Sequence, residues 1–191
     1  MIDASIMRSW LFKRNSILNS VFQVSRLNYL SLISVTGADA AQFLQGQLTC
    51  NIQLLTTEQS SLAAYCTAKG RVISTLLVVK VANGFYLVLP SSLKDKVRKR
   101  LQMYVLRSAV VVADSANPNA VCGFKTTDSH YLNVPLPSAD FALDQSSTVL
   151  VRIPAVTPRY LLLNPDEQHL IHHQNVDAEW RFDDITAGLP W

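Results

Sequence analysis

The chain is poor in the features that mark extracellular, membrane-spanning or disordered proteins. It has three cysteines in 191 residues, Cys50, Cys66 and Cys122; the number is odd and no two form a Cys-x-x-Cys pair. That pattern does not suit a disulfide framework and fits a reducing, cytoplasmic setting. No uninterrupted apolar run reaches the ~18–20 residues needed to cross a bilayer, so no membrane partner is expected. Charge is sparse at 16%, and Lys+Arg 17 against Asp+Glu 14 leaves a formal net charge of +3. Such an excess weakly favours anionic partners and is far from the footprint of a dedicated nucleic-acid binder. What is present is apolar: 49% of the residues are hydrophobic, enough for a real core and too many for a disordered chain.

The length suits one large domain or two small ones. In Met1–Phe22, Arg8, Lys13 and Arg14 are mixed with serines and apolar residues. These cations lie inside the stretch, not before an apolar core, and no small-residue cleavage site follows. It reads as a leading helix or a frayed terminus, not a signal.

From Asn28 the pattern becomes regular. Tyr29–Val35 alternates as a strand with one wet face does. Thr36-Gly37-Ala38-Asp39 reads as a helix start with Thr36 as cap, Ala40, Phe43 and Leu44 form one helical face, and Gly46 stops it. Leu62–Cys66 is a strand, followed by the turn Thr67-Ala68-Lys69-Gly70 and a long β-branched strand over Val72–Val81. Asn83-Gly84 signals a two-residue hairpin into Phe85–Leu89. Ser92-Leu93-Lys94-Asp95 reads as a capping box, opening a helix with Leu93, Val97, Leu101 and Tyr104 on one face. Ala109–Ala113 closes the series as a strand. The expected class is α+β, a mostly antiparallel sheet with helices on one face. Beyond it come short strands at Val121–Phe124, Thr148–Ile153 and Arg159–Leu163, then helical patches near Asp166–His173 and Asp177–Ile185. The expected division is 1–28 as an N-terminal extension, 29–115 as a first α+β subdomain and 116–191 as a second. The tail Ala187-Gly188-Leu189-Pro190-Trp191 ends on an apolar residue just after a helix stop, which suggests a chain cut short.

Few constellations suit catalysis. His169, His172 and His173 stand at i, i+3 and i+4 and could share a metal ion on one helical face. No glutamate stands between them as a zinc hydrolase requires, and a solvated helix end explains them equally, so no metal is expected. Lys94, Lys96, Arg98, Lys99 and Arg100 make the second helix basic. RNA could use that stripe, but no aromatic platform interleaves with the charges, and nucleic acid is not the favoured partner. Lys69-Gly70-Arg71 lacks the frame of a phosphate loop, and Gly70 suits a positive φ in the turn. Trp180 is followed at helical spacing by Asp184. An aromatic beside carboxylates can stack on a flat heterocycle and bond its edge, whereas the plain reading is a core tryptophan.

Three blocks carry a resemblance: Val35-Thr36-Gly37-Ala38-Asp39-Ala40-Ala41-Gln42-Phe43-Leu44-Gln45-Gly46-Gln47-Leu48-Thr49, then Ala63-Ala64-Tyr65-Cys66-Thr67-Ala68-Lys69-Gly70-Arg71-Val72, then Trp180 to Pro190. In this order they resemble the YgfZ-type folate-binding proteins, relatives of the glycine-cleavage T protein (aminomethyltransferase). The resemblance spans about Tyr29 to Trp191. It implies an aminomethyltransferase-like folate-binding fold, with tetrahydrofolate or another reduced folate as cofactor. The family's tryptophan ahead of the Ala-Gly-x-Pro block falls on Trp180, and a second family aromatic falls at Leu30, beside Tyr29. It further implies iron–sulfur enzymes as partners and a role in their upkeep and in tRNA modification. Two departures bear on chemistry. Ser74 and Thr75 stand where the T protein has an acidic pair serving the folate chemistry, and a neutral hydroxyl cannot supply a carboxylate's charge. The chain also stops before the family's Lys-Gly-Cys-Tyr-x-Gly-Gln-Glu loop. A binding scaffold without turnover of its own is therefore the expectation. An aminomethyltransferase-like enzyme and a basic RNA-contacting module are the rival readings.

Overall fold

A computed structural model describes residues 23–131, 134–145, 148–166, 171–172 and 174–191. The early elements are β1 (Val24–Arg26), β2 (Leu30–Thr36), α1 (Ala40–Gln45), β3 (Ser61–Cys66), β4 (Val72–Val81), β5 (Gly84–Pro90), α2 (Lys94–Val105) and β6 (Val111–Asp114). There follow β7 (Val121–Lys125), β8 (His130–Tyr131), β9 (Val134–Pro135), β10 (Leu143–Asp144), β11 (Val149–Ile153), β12 (Arg159–Leu163), β13 (Ile171–His172) and α3 (Asp177–Thr186).

Two sheets organise the molecule. One has the order β3-β4-β5-β2-β6, and the other β10-β11-β12-β7-β1-β13. Every described pairing is antiparallel except β1 with β13. Phe43 and Leu44 of α1 and Val97 and Leu101 of α2 pack with Ile33, Val35, Leu76, Val78, Leu87 and Leu89. Both helices thus lie on one face of the five-stranded sheet, the α+β arrangement expected.

Its other face is not wet. Leu30, Leu32, Leu77, Val79 and Val88 meet Val121, Val151, Ile153, Leu161 and Leu163 of the six-stranded sheet. Leu76 to Val79 are accordingly all buried, two toward the helices and two toward the second sheet. A strand covered on both faces reads as a continuous apolar run, which explains the composition of β4. Each Val or Leu buried this way contributes about 1.5–3 kcal/mol. Val24–Arg26, inside the stretch read as an N-terminal extension, is a strand of the six-stranded sheet, paired with Gly123 and Cys122.

Several local expectations are corrected. Thr36 ends β2, and α1 begins after Asp39, whose carboxylate accepts from the Ala109 N–H at 2.7 Å instead of capping the helix. Ser91–Leu93 form a 3-10 turn, and α2 starts without a side-chain cap. Ser91, one residue before the expected cap Ser92, donates its hydroxyl to the Asn28 carbonyl at 2.8 Å. At the hairpin the pair Val81–Gly84 closes the turn, so Gly84 belongs to β5. Its φ is +142°, and a Cβ there would overlap the Val35 carbonyl of β2. Close backbone approach therefore requires this glycine. The helical patch near Asp166–His173 is also corrected: Ile171–His172 extend parallel to Val24–Ser25, their backbone held by sheet pairing. His169 and His173, like the leading stretch Met1–Phe22, lie outside the described residues. Among those described, no group of His, Cys, Asp or Glu could hold a metal, and no helix is long and apolar enough to cross a membrane.

Candidate functional site

The site is built on α3 and on what α3 touches. Its start is fixed by Asp177, whose Oδ1 accepts from the Asn28 N–H at 2.9 Å. Its end explains the Ala187-Gly188-Leu189-Pro190 block. Gly188 has φ +71°, its N–H donates to the Ile185 carbonyl at 3.1 Å, and the Leu189 N–H donates to the Asp184 carbonyl at 2.8 Å. This is a Schellman stop, whose left-handed position favours glycine. It turns Leu189 into the core between the sheets and carries Pro190 to β4, where Thr75 Oγ1 donates to the Pro190 carbonyl.

Beneath α3 lies a buried ion pair. Arg159, at the start of β12, is fully buried, and its Nη2 meets Asp184 Oδ1 at 2.7 Å. The rest of the guanidinium is satisfied by carbonyls. Nη1 donates to Trp180 at 3.2 Å, while Nη2 and Nε donate to Pro154 at 3.1 and 3.3 Å. The other carboxylate oxygen, Asp184 Oδ2, accepts from Tyr29 Oη at 2.6 Å. Burial pushes the Tyr29 phenol far above its ordinary range, and the bond to Asp184 pushes it further. Tyr29 is therefore a fixed proton donor near neutral pH.

Trp180 sits on the inner face of α3 and is 3% exposed. The Arg159 guanidinium lies 5.3 Å from the indole, and Lys125 Nζ lies 6.0 Å from it. Gly123 of β7 leaves room for the ring: a Cβ there would come within 2.5 Å of Trp180 Cζ2 and Cη2. Lys125 in turn bonds Asp183 and Glu179, each at 2.5 Å. Burial lowers its pKa, but these two carboxylates outweigh burial and raise it.

Tyr29 borders an open cleft of about 350 Å³, lined also by Pro90, Ser92, Arg181, Asp184, Ile185, Leu189 and Trp191. The Arg181 guanidinium stacks over the Tyr29 ring at 5.0 Å and has no salt-bridge partner among the described residues. Leu30 is buried in the core between the sheets and borders a different cleft, with Arg26, Lys94 and Asp114. The structure thus joins Tyr29 to Trp180 through Asp184 and Arg159, and it leaves Leu30 apart. Ser74 is buried and donates to the Thr75 carbonyl at 2.8 Å. Of the thiols, burial raises those of Cys50 and Cys122, the latter to about 12.

Three curated proteins align over 174 residues, each named tRNA-modifying protein YgfZ: from Sodalis glossinidius at 31% identity, Yersinia enterocolitica at 32% and Cronobacter sakazakii at 29%. The chain is a homologue of the YgfZ proteins. The alignments cover 84% of this chain and 52% of each relative, so the chain spans about half the length of these YgfZ relatives. No family model matches it. Among solved structures it is similar to the glycine cleavage system aminomethyltransferase T from Bartonella henselae. That likeness has a TM-score of 0.61 and 15% identity, covering 74% of this chain and 42% of the other. At that identity the likeness concerns the fold alone, which is the aminomethyltransferase type.

Sequence reasoning reached α3, Trp180 and Asp184 but passed over Arg159 as the first residue of a strand. The signal was an arginine leading the apolar run Tyr160–Leu163. A cation opening a strand buried along its length needs a buried acceptor, and the carboxylates of α3 were the candidates.

Proposed function

We propose that this chain binds a reduced folate in the cleft beside Tyr29, as part of a YgfZ-type protein that works in the cytoplasm. Its role there is to support iron–sulfur enzymes and tRNA modification. The carrying observation is the pairing of Tyr29 with Arg181 over a cleft closed behind by the Arg159–Asp184 ion pair. A reduced folate has a flat heterocycle rich in hydrogen-bond groups and a glutamate tail bearing carboxylates. Trp191 offers aromatic surface to the first, and Arg181, braced on the buried Tyr29 ring and without a salt-bridge partner among the described residues, offers a cation to the second. The volume lies within the ordinary range for small-molecule sites. Trp180, behind the cleft, acts by holding the Arg159 guanidinium in place.

Binding without turnover suits the side chains at hand. The Tyr29 phenol keeps its proton, and the Ser74 and Thr75 hydroxyls bond backbone carbonyls. Titration with 5-formyltetrahydrofolate, followed by intrinsic tryptophan fluorescence and calorimetry, tests the proposal. The expected result is saturable binding, weakened about tenfold or more by Arg181→Gln while the unfolding midpoint stays at the parent value. Absence of binding, or binding indifferent to Arg181→Gln, refutes it.

A further inference from the structure

Helix α2 carries cations of two kinds. Lys94 and Arg98 are engaged, each 3.3 Å from an Asp114 oxygen, and Arg98 also approaches Asp95 at 3.6 Å. Lys96, Lys99, Arg100 and Arg107 have no salt-bridge partner among the described residues. Lys96, Lys99, Arg100 and Tyr104 stand at i, i+3, i+4 and i+8, which places them on one stripe of the helix, with Arg107 just past its end. At a rise of 1.5 Å per residue the stripe runs about 12 Å.

An aromatic closes the stripe. Tyr104 is 45% exposed, and the Arg100 guanidinium lies over its ring at 5.7 Å and donates to its hydroxyl at 3.5 Å. Met103, beside it, is also exposed. Helix geometry thus supplies the aromatic next to the charges that the linear pattern lacked. Asp95, the helix's acid, stands one turn before Lys99 at the edge of the stripe and is engaged by Arg98.

We propose that this face of α2 is a docking surface for single-stranded RNA. Lys96, Lys99 and Arg107 neutralise backbone phosphates, and the Arg100–Tyr104 pair offers a stacking platform to a base. A membrane surface is the less suitable occupant. An interfacial helix sinks its apolar face into the headgroups. Here Val97 and Leu101 are already committed to the core, and Gln102 Nε2 ties the helix to the Val112 carbonyl at 2.9 Å. An acidic protein would use the cations but leave the cation-braced ring without a partner. The proposal stands independently of folate binding, because the stripe and the Tyr29 cleft share no residue.

Fluorescence anisotropy of a labelled 12-nucleotide oligouridine, titrated with the full chain between 50 and 200 mM KCl, tests it. Three to four neutralised phosphates give a slope of log affinity against log salt of about −2 to −3, a roughly 20- to 50-fold loss across that range. The surface variant Lys96→Gln/Lys99→Gln/Arg107→Gln should flatten the slope by about 2, with an unchanged circular dichroism spectrum. Tyr104→Ala should weaken binding about tenfold at an unaltered slope, and Tyr104→Phe should restore it. Absent binding, a parent-like slope in the triple variant, or Tyr104→Ala binding as the parent does each overturns the proposal. So does equal or tighter binding to polyglutamate or to 7:3 phosphatidylcholine:phosphatidylserine vesicles.

Discussion

Replacing Asp184 by alanine removes the acceptor shared by Arg159 Nη2 at 2.7 Å and Tyr29 Oη at 2.6 Å. Arg159 is fully buried, so its charge would remain in the core with only carbonyl oxygens around it. Leaving one partner of a buried pair uncompensated costs about 3–5 kcal/mol, and a buried hydroxyl without an acceptor costs about 1–3 kcal/mol. The two penalties overlap, because one relaxation or one entering water relieves both, so about 4 kcal/mol is the expected loss. For a chain of this length that corresponds to a fall of about 8–16 °C in Tm. Urea unfolding followed by far-ultraviolet circular dichroism should show a lower midpoint at unchanged slope. The double variant Arg159→Met/Asp184→Leu removes both charges and should be more stable than Asp184→Ala alone, since well-packed apolar groups often replace a buried pair at little cost. If Asp184→Ala lies within about 1 kcal/mol of the parent, or the double variant is the worse of the two, the pair does not anchor α3 as described.

Gly123→Ala should destabilise by about 1–3 kcal/mol and alter tryptophan emission, because the new methyl group would collide with the Trp180 ring. Gly84→Ala should cost at least as much, since its φ of +142° and the nearby Val35 carbonyl both exclude a side chain; thermal unfolding measures both variants. A maleimide added to native protein at pH 7 should leave Cys122 unlabelled, and labelling should follow unfolding by urea, read by peptide mass. Alkaline conditions should weaken the fold. The Cys122 thiol is raised to about 12, so the native state keeps a proton that the unfolded chain releases above its ordinary value near 9. Stability then falls by up to about 1.4 kcal/mol per pH unit from pH 9 upward, and Tyr29 and Tyr131, both raised by burial, add to the fall above pH 10. Cys122→Ala should reduce the loss between pH 9 and 10 in urea titrations at those two values, and the raised Cys50 thiol accounts for a remainder.

The strands and helices were legible where local chemistry and tertiary packing agree. Val72–Val81 and Arg159–Leu163 form strands over the residues that their β-branched and apolar runs mark out. The second sheet was legible only in part: its strands at Val121–Lys125, Val149–Ile153 and Arg159–Leu163 fall where strands were expected, whereas β1 and β13 have 3 and 2 residues and exist through pairing with each other and with β7. Periodicity cannot reveal an element shorter than one period pair. The packing of this sheet against the first, which local sequence does not display, explains why a wet face was expected on Tyr29–Val35. Ser31 and Ser34 suggest water, yet Ser31 Oγ bonds Ser91 Oγ at 2.8 Å and Ser34 Oγ bonds the Ala113 carbonyl at 3.3 Å.

The site divides in the same way. Trp180 and Asp184 are four residues apart on one helix, and helical spacing is enough to pair them. Arg159 is 25 positions earlier on a strand, and nothing local tells whether an arginine at a strand end turns outward or in. Burial decides it, through the sheet that β12 joins at its centre between β11 and β7. Once Arg159 is inside, the rest follows from charge: it needs a carboxylate, Asp184 supplies one, and the second oxygen of that carboxylate captures Tyr29. A tryptophan beside an acid, which along the sequence suits either a stacking surface or the core, is buried in three dimensions on the inner face of α3, packed against Arg159 and Gly123. The recognition group that reaches the surface is one residue along the helix, Arg181, which covers the buried Tyr29 ring. Arg181→Gln separates these roles. It leaves the Arg159–Asp184 pair intact, so it should spare stability and affect ligand affinity, whereas Asp184→Ala should lower both.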